Sequence, residues 1–111
     1  MGTTIKISNE IARHLDDLSF NETKDIEGKL RNLIISEYQR RLARFRLTDR
    51  QLTQKYNTSF EAFEQQQMTQ QMGYTWEVES DAIAWETAID GIHTIEQQLT
   101  SLLGKGRASD H

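Results

Sequence analysis

With 111 residues, 36% of them hydrophobic, and a formal net charge of −4, the chain suits one compact domain or a small module with an extension. No apolar run approaches the roughly 18 residues a membrane span needs, and no secretion signal is recognisable at the start. The absence of cysteine excludes disulfides and thiolate metal sites and fits a reducing compartment, so a cytoplasmic location is expected.

The charge is unevenly placed. Residues 1–47 carry nine Lys/Arg against seven Asp/Glu, a net +2; residues 48–111 carry four against ten, a net −6. A mildly basic first half joined to an acidic second half suggests partners of opposite charge.

In chain order, Ile5 and Ile7 flank Lys6 with the alternation of a half-buried strand, predicted over 3–8. Ser8 or Asn9 can cap a helix over 9–18 that would bury Ile11, Leu15 and Leu18. After the polar break at 19–25, Ile26, Leu30, Leu33, Ile34, Tyr38, Leu42 and Phe45 recur at helical spacing, giving a helix over 24–46. Four arginines near its end complement the helix dipole.

Thr48 with Gln51 has the form of a capping box, so a separate short helix is predicted over 49–56, closed by Asn57 in the left-handed conformation. Thr58 with Glu61 repeats the box and opens a helix that carries Phe60, Phe63, Met68 and Met72 and stops at Gly73. The stretch YTWEVES, 74–80, alternates and reads as extended, with Tyr74, Trp76 and Val78 on one side. Ser80 or Asp81 then caps a helix over 81–103 whose seam is Trp85, Ala88, Ile92, Ile95, Leu99 and Leu102. Residues 104–111 are expected to be a disordered tail.

One short strand with no second strand nearby leaves its backbone groups unpaired, a hazard unless another molecule completes the sheet. Two copies could pair their strands antiparallel and cover one face with four helices. Ile5 and Ile7 would point inward, and Thr4, Lys6 and Ser8 outward, where a two-stranded ribbon fits the major groove.

That order, carried by TIKISNEIARHLDDL and KLRNLIISEYQRRL, resembles the ribbon-helix-helix family of small DNA-binding proteins, many of them antitoxins or repressors. The resemblance implies a homodimer in which Thr4, Lys6 and Ser8 read operator DNA. It also implies a phosphate held near Asn21, Thr23 and Lys24 at the start of the second helix, with Lys29 and Arg31 close by. Glu22, Asp25 and Glu27 at that helix start suit its dipole but would repel a phosphate.

The acidic half resembles the toxin-binding portion of type II antitoxins. Its anchors would be Tyr74, Trp76 and Trp85, with Glu77, Glu79, Asp81 and Glu86 steering a small basic toxin. The same aromatic spacing also suits a helical core.

Catalysis has little support. His14, His93 and His111 are far apart, and His14 with Asp17 reads as a solvated pair rather than a metal site. Glu77, Asp81 and Glu86 lack further ligands, and there is no phosphate loop, zinc spacing or nucleophile elbow.

The expectation is therefore a mainly α protein with a short N-terminal strand that pairs across a dimer. A ribbon-helix-helix module at 1–47 would bind DNA and repress transcription, an acidic helical region at 48–103 would bind the partner, and a tail would follow at 104–111. It would be the antitoxin of a toxin–antitoxin pair and not an enzyme, with no cofactor, metal, membrane or small-molecule substrate. The alternative is a helical interaction or scaffold protein that dimerises through the same strand without nucleic acid.

Overall fold

The computed structural model describes residues 2–18 and 25–108, with side chains to residue 104. Five helices follow in order: α1 (Asn9–Leu18), α2 (Ile26–Tyr56), α3 (Phe60–Gln65), α4 (Met68–Gln71) and α5 (Trp76–Ala108). They belong to two compact units, Met1–Glu37 and Tyr38–His111. No described helix is long and apolar enough to cross a membrane.

The described residues contain no strand, which overturns the expected strand, and with it the ribbon-helix-helix fold. Residues 2–8 have no regular secondary structure, and Ile5 is 67% exposed. Within this unit, Ile5 and Ile7 border an open hollow of about 440 Å³ together with Ile26 and Leu30. The alternation spans only one Ile-Lys-Ile step, and the next residue already belongs to a helix cap. The Ser8 hydroxyl accepts the Ile11 N–H at 3.1 Å, and its carbonyl accepts the Ala12 N–H at 3.0 Å. Of the three residues expected inside α1, only Leu15 is buried; Ile11 and Leu18 are exposed. Lys29 of α2 forms an ion pair with Asp16 of α1.

The predicted break before Thr48 does not occur, and α2 runs through it for 31 residues. The Thr48 hydroxyl donates to the Arg44 carbonyl at 3.3 Å, bonding back along the helix instead of capping a new one. With no proline or glycine between 29 and 72, nothing there forces a stop. The expected module boundary at 47/48 thus falls inside α2, while the compact units divide at Glu37/Tyr38. Asn57 ends the helix with φ 54°, the left-handed position expected of it.

In the second unit, α2 and α5 run antiparallel. Arg46 bonds Glu96 at 3.1 Å toward one end, and Lys55 bonds Glu77 and Asp81 at the other. Between them, Gly91 lets the two helices approach closely: a Cβ there would lie 2.4 Å from the Phe45 ring. The core joins Leu52, Phe63, Val78 and Trp85, and Tyr56, Phe60, Met68, Ala82 and Ile89 pack against it. Ser59 caps α3 by accepting the Ala62 N–H at 3.2 Å, one residue after the expected Thr58. The helix predicted to run to Gly73 is interrupted at Gln67, which is left-handed with φ 51°. At the other end, α5 continues to Ala108 where a disordered tail was expected; residues 109–111 lie outside the described residues.

Candidate protein-interaction surface

The expected extended segment at 74–80 is the start of α5. Gly73 (φ 79°) and Tyr74 (φ 55°) turn the chain, and the Thr75 hydroxyl accepts the Val78 N–H at 3.3 Å as an N-cap. The change in secondary structure rearranges the side chains. In a strand, Trp76 and Val78 share a face; in a helix, two residues apart means nearly opposite faces. Val78 is accordingly in the core, while Trp76 is 82% exposed.

The seven residues expected to bind a partner separate into three groups. Trp85 is fully buried: its ring stacks on Tyr56 at 6.0 Å, lies within 5.5 Å of Phe60 and Phe63, and its Nε1–H donates to Asp49 Oδ1 at 2.8 Å. It holds the unit together. Glu77 and Asp81 are engaged by Lys55 Nζ at 2.7 and 2.6 Å, and the Tyr56 hydroxyl donates to the same Asp81 oxygen at 2.6 Å. Tyr74, Trp76, Glu79 and Glu86 remain exposed.

The electrostatics of the second group follow from partial burial. Burial disfavours a charge on Asp81, but the Lys55 and Tyr56 hydrogen bonds outweigh it and hold the carboxyl below its ordinary range. Burial, and then donation to Asp81, push the Tyr56 hydroxyl up to about 12. Hydrogen bonds to Asp81 and Glu77 raise the Lys55 ammonium. All three groups are therefore locked in their neutral-pH states, which suits a clasp between helices better than a proton-transfer site. Of the set Glu77, Asp81 and Glu86, the first two are already balanced by this lysine, and the described residues hold no cluster that could bind a metal ion.

The exposed group is joined by residues that sequence reasoning missed. Ile83, 66% exposed, lies seven residues after Trp76 and so on the same face of α5, with Glu79 between them and Glu86 and Asp90 beyond. An open hollow of about 390 Å³ runs between Trp76 and Ile83, floored by Ala82 and bordered by Thr69. The spacing of seven was visible in the sequence. It carried no weight because the helix was expected to begin only at 81.

The residues expected at DNA are dispersed. Thr4 and Lys6 are exposed in the irregular segment, and Ser8 is engaged in the α1 cap. Lys29 is paired with Asp16, and half-buried Arg31 has an interaction within the chain. Lys24, with Asn21, Glu22 and Thr23, lies outside the described residues.

No protein-family model, curated protein or solved structure matches this chain.

Proposed function

We propose that the chain is a non-enzymatic interaction protein that captures a small basic protein on the outward face of α5, as an antitoxin masks a toxin. The observation that carries this reading is the pairing of Trp76 and Ile83, large and apolar yet exposed, two turns apart on a face otherwise acidic at Glu79, Glu86 and Asp90. Exposed aromatic anchors supply affinity, and like charges around them steer a partner of opposite sign. There is no Lys or Arg between 76 and 104 to weaken that field. Operator binding does not enter the proposal, because it depended on a strand.

The test is co-expression of the full chain with the small basic protein encoded beside it, followed by titration of the purified pair. A Trp76→Ser/Ile83→Ser variant should bind at least about 30-fold more weakly, as expected from losing one interface anchor of about 2 kcal/mol. Unchanged affinity in that variant, or no complex with the wild type, rejects the proposal.

A further inference from the structure

The outward face of α2 in the second unit is as one-sided as that of α5, with the opposite sign. Arg44, Leu47, Arg50 and Gln51 recur at helical steps of three and four and are all exposed, Leu47 by 49%. Arg40 extends the stripe, although it already has an interaction within the chain. Between Tyr38 and Tyr56 the sole carboxylate is Asp49, and it faces inward to bond Trp85.

We propose that this face binds the outward face of α5 on a second copy of the chain. Set antiparallel, Arg50 stands opposite Glu79, Leu47 opposite Ile83, Arg44 opposite Glu86 and Arg40 opposite Asp90. The steps match nearly residue for residue: 40, 44, 47 and 50 against 90, 86, 83 and 79. Each stripe spans about 15 Å along its helix. A parallel alignment that sets Arg40 opposite Glu79 places Arg44 on Ile83 and is poorer. An exposed leucine central to the basic stripe, meeting an exposed isoleucine central to the acidic one, favours a protein over a nucleic-acid backbone as occupant.

Within one copy, α2 and α5 turn their buried faces toward each other, so the two stripes point away from each other. The contact is therefore heterologous, and copies join head to tail, as a ring or an open chain. It occupies the same α5 face as the proposed basic partner, although it does not depend on that partner existing. Self-association and capture of a partner would exclude one another.

Sedimentation of the full-length protein across a concentration series tests this. The wild type should associate at low ionic strength and dissociate as salt screens the charge pairs. Arg44→Glu/Arg50→Glu and Glu79→Arg/Glu86→Arg should each remain monomeric with unchanged helical circular dichroism. An equimolar mixture should associate again, because the acidic α2 of the first variant then meets the basic α5 of the second. A monomeric wild type at low salt, association of either variant alone as in the wild type, or a mixture that stays monomeric overturns the proposal. So does a monomer that binds a short DNA duplex through Arg44 and Arg50.

Discussion

Asp81 shows how much one side chain can do at the edge of a core. It accepts from both Lys55 and Tyr56 and so ties the end of α2 to the first turns of α5. Its folded pKa lies below the ordinary 3.8, so the unfolded chain binds more protons between the two values. The stabilisation is complete above the unfolded value and fades as pH falls through the folded one. Asp81→Asn should cost about 1 kcal/mol near neutrality, since the group is partly exposed. The variant and the wild type should converge in strongly acidic solution, as urea midpoints at each pH will show. Tyr56 works in the opposite sense: its folded pKa is raised from 10.0 to about 12, so its contribution is complete below 10 and is lost as pH rises toward 12.

At the scale of the element, the close passage of α2 over α5 depends on Gly91. Alanine there would gain roughly 1 kcal/mol of helix propensity, but its Cβ would overlap the Phe45 ring at three carbons, from 2.4 to 2.7 Å. Overpacking of a helix contact costs about 1–3 kcal/mol. Gly91→Ala should therefore lower the melting temperature, and Phe45→Leu in the same chain should recover part of the loss. Additive effects of the two substitutions would show that the ring and the glycine do not press on each other. The helices themselves were largely legible from spacing: α1, most of α2 and most of α5 follow their apolar periodicity. Their ends were not. Thr48 and Gln51 have the chemistry of a cap, yet a helix with packed residues on both sides, Leu42 before and Leu52 after, keeps its backbone bonds and gains nothing by breaking. In YTWEVES, alternation over so few residues also fits a first helical turn that sends Val78 to the core and Trp76 to solvent.

For the molecule as a whole, burial is unequal. Of the eight buried apolar residues described, Leu15 alone belongs to the unit before Tyr38; the other seven, from Leu42 to Ile95, belong to the one after it. Opening free energy follows buried apolar contacts, so amide exchange should be fast throughout α1 and slowest in α5 around Trp85 and Ala88. Equal protection in the two would contradict this division. The candidate interface is a whole-molecule property for the same reason. Acidity after residue 48, the absence of cysteine and the helical character were plain in the sequence, because each is a sum over residues or a repeat along one helix. Which aromatic ring is exposed and which is core was decided only by tertiary packing. Trp76 and Trp85 are alike in composition and nine residues apart, but α2 and α3 cover the face that bears Trp85 and leave the face of Trp76 to solvent.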